Sequence, residues 1–378
     1  MNTASMYQHS ERAATHVGTA DVDVSIDPKA LEIARRGGLY ELGESYIRGQ
    51  WECSDLTHAL YRLFTSDPRC DVRFSKLSPR FISYVVWDRL RNAQTGKGAY
   101  EVARRHYDLA NDLFAAMLDN ATMSYTCGYW NAANTLEEAQ VAKVDLLCRK
   151  LALQPGMRVL DIGCGWGNFA RYAASRYGVS VVGLTVSKEQ AALARERCAG
   201  LDVEIVLEDY QNYSGEFDRI VSIEMIEAVG RKNMPSYFAM VERCLKDRGL
   251  FGLQVISAES FSRYSAPALD QYILWLQRRI FPNGYLPTLP QLIKPARGAL
   301  VIEDLHNFSA DYAKTLHAWR ERFEVGWPAL KESYGEPFRR MWLYYLQGCE
   351  ALFQARMVQL YQVVYSKGGI PGGYTAVR

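Results

Sequence analysis

Apolar residues in this chain gather into short runs, separated by stretches in which they recur at helical spacing. Runs at 158–162, 179–184, 203–207, 218–223 and 249–257 predict buried strands, with helices between them. Such alternation predicts an α/β fold, a parallel sheet covered on both faces. Two later runs, 299–305 and 358–365, are placed to finish the sheet. Between them, Ser262 to Leu286 and Ala310 to Phe353 read as long aromatic helices. They are oversized as padding and are expected to form a lid or substrate groove. Upstream, residues 1–23 are polar and predicted to be disordered. Residues 24–98 read as a small, mainly helical N-terminal domain, broken at Gly37-Gly38, Gly43 and Ser78-Pro79 and closed by the loop Asn92–Gly98. Residues 99–378 form the larger α/β domain.

The first strand of that domain carries the chemistry. It ends at Asp161-Ile162 and runs into Gly163, Gly165 and Gly167, after which a helical stretch reaches Gly178. Glycines there permit a tight strand-to-helix turn and let a ligand lie against bare backbone. The next strand completes a βαβ unit, the context a nucleotide-type cofactor requires. A dinucleotide site would add an acid at the end of the second strand, but the chain continues Leu184-Thr185 and reaches Gln190 instead. The acid comes after the third strand, in Glu208-Asp209-Tyr210. Asp-x-Gly-x-Gly with that later acid looks like a Rossmann-like, class I S-adenosylmethionine-dependent methyltransferase core. Thr185 and Gln190 then face the ribose, and Asp209 and Tyr210 the adenine.

Composition narrows the picture further. With 48% apolar and 23% charged residues, the 378-residue chain has the content of a soluble globular protein. A formal charge of +2 gives no case for nucleic acid. The charge is uneven: Tyr61 to Tyr107 holds ten basic residues against four acids, interleaved with Phe74, Phe81, Tyr84 and Trp87. That combination suits an anionic membrane surface, although a solvated basic face would look the same. No apolar run is long enough to span a bilayer, and no signal peptide is expected from the polar N-terminal stretch. The eight cysteines are scattered without a C-x-x-C pair or zinc spacing, so no metal site is expected and reduced thiols in a cytoplasm are.

Longer motifs sharpen the expectation. From Leu39 to the C-terminus the chain resembles the bacterial cyclopropane fatty acid synthases and, more distantly, the mycolic acid cyclopropane synthases and methyltransferases. The resemblance rests on His106–Phe114, Tyr125–Trp130, Leu160–Gly167, Ile280–Pro287 and Asp304–Tyr312. It implies methylene transfer from S-adenosylmethionine to a cis double bond of an unsaturated phospholipid acyl chain. It further implies a peripheral enzyme at the inner face of the membrane, and a homodimer. Cofactor residues carried over are Tyr125, Thr126, Asp161, Gly163, Gly165, Thr185, Gln190, Asp209 and Tyr210. In the family, a bound bicarbonate ion is understood to remove the proton that lets the ring close. Cys127, Glu227 and Tyr312 fall where it is held, and Cys349 on a cysteine once regarded as catalytic. Among these Glu227 is the leading candidate for the proton-removal step, because a carboxylate amid apolar residues after the fourth strand is not there for solubility.

The pattern breaks in two places. The usual Phe-Glu-His is Ile226-Glu227-Ala228, and a bicarbonate-holding histidine on the fifth strand is replaced by Gln254. Glutamine hydrogen-bonds but does not titrate. Glu224 adds a carboxylate that repels an anion if it points inward. Two routes stay open: bicarbonate held by Cys127, Glu227, Tyr312 and Gln254, or Glu227 or Glu224 acting as the base directly. The second admits a methyl- or methylene-branched product without ring closure. A catalytically silent, S-adenosylmethionine-binding membrane-surface protein is the remaining alternative.

Overall fold

The computed structural model describes residues 27–65, 111–258, 266–293 and 298–378. The polar tail 1–23, the domain boundary at 98/99, most of the basic segment and the His106 motif's start lie outside the described residues. The strands are β1 (Arg158–Ile162), β2 (Ser180–Thr185), β3 (Val203–Leu207), β4 (Phe217–Ile223), β5 (Leu245–Ser257), β6 (Leu300–Asn307) and β7 (Gln359–Lys367). They form a seven-stranded sheet in the order β3-β2-β1-β4-β5-β7-β6. β1 to β5 are mutually parallel, while β7 runs antiparallel to both β5 and β6. The two late apolar runs therefore do finish the sheet, but as an antiparallel edge.

The helices, in chain order, are α1 (Pro28–Ile47), α2 (Leu56–Phe64), α3 (Asn111–Met117), α4 (Leu136–Lys150), α5 (Asn168–Tyr177), α6 (Lys188–Arg197), α7 (Met234–Cys244), α8 (Ala266–Arg279), α9 (Leu289–Ile293) and α10 (Ala310–Gln354). Two apolar clusters cover the faces of the sheet, one around Leu160, Phe238 and Phe251 and the other around Val159, Phe169 and Val221. A third, larger cluster is aromatic and joins α1, α2 and α3 to α8 and α10 through Tyr46, Phe64, Phe114, Trp275, Trp319 and Trp342. The long insertions are thus not loose padding; with the N-terminal helices they build a second core beside the sheet.

Glycine punctuation worked unevenly as a guide. The chain kinks at Gly38, whose φ is 68°. Gly43, expected to break the helix, sits inside α1. A Cβ there would come within 2.6 Å of the Tyr344 ring and 2.8 Å of Trp275, so its small size serves close packing and not a turn. α10 bends at Gly335, with φ 73°, two residues before Pro337.

The sheet order reverses at β1, which has β2 on one side and β4 on the other. In open parallel sheets ligands bind beyond the carboxyl ends of the strands at such a switch point. The register aligns Asp161 with Gly183 and Val221, and Ile223 with Gln254. Those pairings bring the glycine turn after β1, Glu224 after β4 and Gln254 on β5 to one edge.

Candidate active site

A cleft of about 1270 Å³, its open mouth included, lies over that edge. The turn after β1 forms its floor. The N–H groups of Gly163 and Cys164 both donate to the Leu184 carbonyl, drawing the turn against β2. A Cβ on Gly163 would strike Met225 at 2.5 Å, whereas one on Gly165 would meet nothing within 4 Å. The Gly165 backbone is therefore bare toward the cleft, as close approach of a ligand requires. Thr185 donates to Gln190 Oε1 at 2.9 Å, and Ser187 caps α6 by accepting from the Gln190 N–H at 3.2 Å. Asp209 accepts from the Gln211 N–H at 3.0 Å, and the Tyr210 ring stands edge-on to Tyr237 at 5.4 Å. Tyr125, Thr126, Asp161, Gly163, Gly165, Thr185, Gln190, Asp209 and Tyr210 all line this one cleft.

Asp161 is 2% exposed and its Oδ2 has no hydrogen-bond partner in the protein. Burial pushes its carboxyl up to about 7, opposed by the Lys143 ammonium. A buried acceptor left open in a native site calls for a ligand donor. Bare backbone at Gly165, that acceptor and two further acids, Glu208 and Asp209, fit a cationic adenosyl ligand such as S-adenosylmethionine.

Glu224 lines the same cleft, just beyond the end of β4. Its Oε1 accepts from the Cys127 N–H at 2.9 Å and from Gln254 Nε2 at 2.7 Å, and its Oε2 from the Tyr312 hydroxyl at 2.6 Å. Gln254 is aimed by Gln362, whose amide donates to its Oε1 at 2.9 Å. Tyr312 is fixed by stacking on Phe353 at 4.4 Å. Burial pushes the Glu224 carboxyl up, and the Tyr312, Gln254 and Cys127 donors and Lys143 pull it back. Glu224 also has φ 50°, left-handed backbone that favours glycine. Strain of that kind costs about 1–3 kcal/mol and persists where function retains it.

Glu227 sits elsewhere. It lies in the short turn Ile226–Ala228, its Oε1 accepts from the Ile256 N–H at 2.6 Å, and its Oε2 is buried without a partner. Burial, aided by the Glu224 charge, pushes it up to about 8. Environment treats the two carboxyls differently: three donors favour the ionised form of Glu224, whereas Glu227, with one donor and raised to about 8, holds its proton at neutral pH. Glu224, not Glu227, occupies the convergence point of Cys127, Tyr312 and Gln254.

The two cysteines do not present reactive thiols. Cys127 contributes its backbone N–H, while its Sγ lies 3.2 Å from the Gly128 carbonyl and burial pushes the thiol well up. Cys349 lies on α10 outside the cleft, beside Tyr272, and burial pushes it up to about 12. Neither is a thiolate near neutral pH.

A separate bicarbonate ion does not fit this arrangement. The donors expected to hold it already bond a carboxylate, and a second anion beside Glu224 would meet like charge. Two oxygens of the Glu224 side chain already occupy the acceptor positions among these donors.

Residues 94–363 match the family model described as mycolic acid cyclopropane synthetase. The chain belongs to that family. It is 46% identical to the cyclopropane-fatty-acyl-phospholipid synthase of Escherichia coli K12 over 354 residues, covering 93% of this chain and 89% of the relative. It is 36% identical to the tuberculostearic acid methyltransferase UfaA1 of Mycobacterium tuberculosis, covering 91% of this chain and 82% of the relative. Its fold superposes on mycolic acid cyclopropane synthase CmaA1 complexed with SAH and CTAB with a TM-score of 0.68 at 31% identity, covering 71% of this chain and 98% of that one. Within the family, the protein has the class I S-adenosylmethionine methyltransferase fold expected of it.

One residue of the cleft escaped sequence reasoning altogether. Lys143 on α4 is 1% exposed, and its Nζ donates to Thr126 Oγ1 at 2.6 Å. The signal was present: Leu136, Ala139, Lys143 and Leu147 share the buried face of α4 at helical spacing.

Proposed function

We propose that this protein transfers a methyl group from S-adenosylmethionine to a cis double bond of an unsaturated phospholipid acyl chain and closes a cyclopropane ring, with Glu224 as the proton acceptor. The observation that carries this reading is the Glu224 carboxylate, held by three donors on the wall of the cleft that fits the cofactor. A carboxylate offers about four acceptor positions, and three are filled, so one remains for a proton. When bound, S-adenosylmethionine supplies an electrophilic methyl carbon.

The rest falls to the chain. An alkene is a weak nucleophile, so water has to be kept out and the reacting carbons aligned. The aromatic core beside the cleft supports both needs: Tyr125 packs on Trp319 at 5.0 Å and edge-on to Phe114 at 5.1 Å, and its hydroxyl meets that of Tyr345 at 2.6 Å. Methyl addition leaves a cation on the acyl chain, and aromatic faces favour such a charge. Glu224 then takes one proton from the added methyl group, and the released C–H electron pair closes the three-membered ring. The donors on Glu224 hold its free lone pair still, and Glu227, protonated, keeps a second negative charge away.

We place the protein in the cytoplasm, peripheral at the inner face of the membrane. The basic, aromatic segment between Tyr61 and Tyr107 supports contact with anionic lipid. A homodimer is the expected assembly, to be checked by sedimentation equilibrium.

The deciding experiment is incubation with carbon-13-methyl S-adenosylmethionine and unsaturated phospholipid vesicles, followed by NMR of the extracted lipid. An upfield cyclopropyl signal is expected. Label in a methyl or olefinic environment would replace ring closure with branching, and no label in lipid would sink the enzymatic reading.

A further inference from the structure

Among the residues that line the cleft, the acids are Asp161, Glu208, Asp209 and Glu224, and Lys143 is the one Lys or Arg. Its surroundings are unusual for a buried ammonium. Nζ donates to two hydroxyls, Thr126 Oγ1 at 2.6 Å and, at 3.5 Å, Ser124 Oγ. Ser124 is itself fixed by Asn168 Nδ2 at 2.7 Å. No carboxylate of the described residues pairs with Lys143 directly, although Glu224, Asp119 and Asp161 act on it at longer range. Lysine has three N–H donors, so at least one is left over. A buried charge held only by neutral groups is costly unless a counter-ion completes the site.

The ligand argued for this cleft brings such a counter-ion. S-adenosylmethionine carries a sulfonium, an α-ammonium and an α-carboxylate. An acid-rich wall suits the two cationic groups and opposes the carboxylate. We propose that Lys143 is the group that binds this carboxylate, with the open Oδ2 of Asp161 receiving the neighbouring ammonium. Lys143 would then read the amino-acid end of the ligand, while Thr185, Gln190, Asp209 and Tyr210 read the nucleoside end. The inference rests on the cofactor reading of the cleft given above.

Isothermal titration of the full chain with three ligands separates the possibilities. They are S-adenosylmethionine, its decarboxylated analogue, and 5′-methylthioadenosine, which lacks the amino-acid end entirely. The wild type is expected to prefer S-adenosylmethionine over the decarboxylated analogue by about 10- to 100-fold, the range of one charge-assisted hydrogen bond. Lys143→Met should bring that ratio close to one, with methylthioadenosine affinity within about threefold of wild type. A wild type that binds both sulfonium ligands equally overturns the proposal without any variant. So does a Lys143→Met variant that weakens both equally, since that is the mark of a lysine that merely props the Ser124–Thr126 loop. Failure of the wild type to bind any of the three would overturn the cofactor reading itself.

Discussion

Glu224→Gln is the most informative single change. In the place of Oε1, the new amide oxygen still accepts from the Cys127 N–H and from Gln254 Nε2. In the place of Oε2, the new NH₂ faces the Tyr312 oxygen, which accepts once its hydroxyl rotates. Shape and contacts are kept, and what goes is the charge and the basicity. Burial pushes the Glu224 carboxyl up despite its donors, so its charge costs more than they return, and thermal stability should be unchanged or slightly higher. Loss of a positioned general base slows a reaction by roughly 10²- to 10⁴-fold. Turnover should therefore fall by about that factor, measured as S-adenosylhomocysteine released in the presence of unsaturated phospholipid vesicles. Cofactor affinity, measured by titration, should stay within about threefold, because the substitution keeps the shape of the side chain and its contacts with Cys127, Gln254 and Tyr312. A variant that turns over within threefold of wild type would refute Glu224 as the proton acceptor. Collapse of cofactor binding would make it a binding residue instead.

Glu224→Gly suits the local φ of 50° and frees the three donors, so it should be folded, nearly inactive and partly rescued by added bicarbonate, whereas wild-type turnover should not respond to that ion. Glu227 is raised to about 8, so the folded state retains a proton that the unfolded chain gives up near its ordinary, lower value. Stability should then decline as pH climbs through that window to about 8, and Glu227→Gln should remove a few kcal/mol of that decline in urea titrations, while keeping most of the activity. Cys349→Ala should leave turnover within about twofold, since a thiol raised to about 12 is no nucleophile; a large fall in kcat with normal stability would reverse that view. Asp304 is buried between Arg378, at 2.7 Å, and Lys150, at 3.5 Å, so Asp304→Asn should destabilise the fold by about 3–5 kcal/mol in denaturant titrations and affect chemistry only through that loss.

The sheet was legible because its signals are local. Apolar runs, the glycine turn and the acid after β3 each obey a rule of a few residues, and the cleft follows from them. The chemistry around Glu224 was not. Glu224 and Glu227 lie three apart after the same strand, and nothing in their spacing says which one turns inward. That is decided by the left-handed backbone at Glu224 and by donors from Cys127, Gln254 and Tyr312, which are distant in sequence. Cys127 meets the carboxylate through its amide and not its thiol, a backbone contact that a side-chain pattern does not announce. Cys349 is singled out only by resemblance, and the burial that raises its thiol is a tertiary property that no local pattern carries. Lys143 lies on the apolar face of α4, but a single lysine there reads the same as one whose charge reaches solvent, and only the packed structure separates the two.

The helix α10 also sets a rule for anyone recombining these proteins. Near its start Tyr312 holds Glu224; further along, Arg340 donates to the Tyr46 and Trp51 carbonyls, and the Tyr344 hydroxyl donates to the Leu39 carbonyl. Gln271 on α8 accepts the Leu39 N–H, and Gly348 leaves room for Tyr272. A chimera that imports the first sixty or so residues from a relative therefore has to import their far-off partners as well. The N-terminal helices are inherited with α8 and α10 as one block, split in the gene but undivided in space.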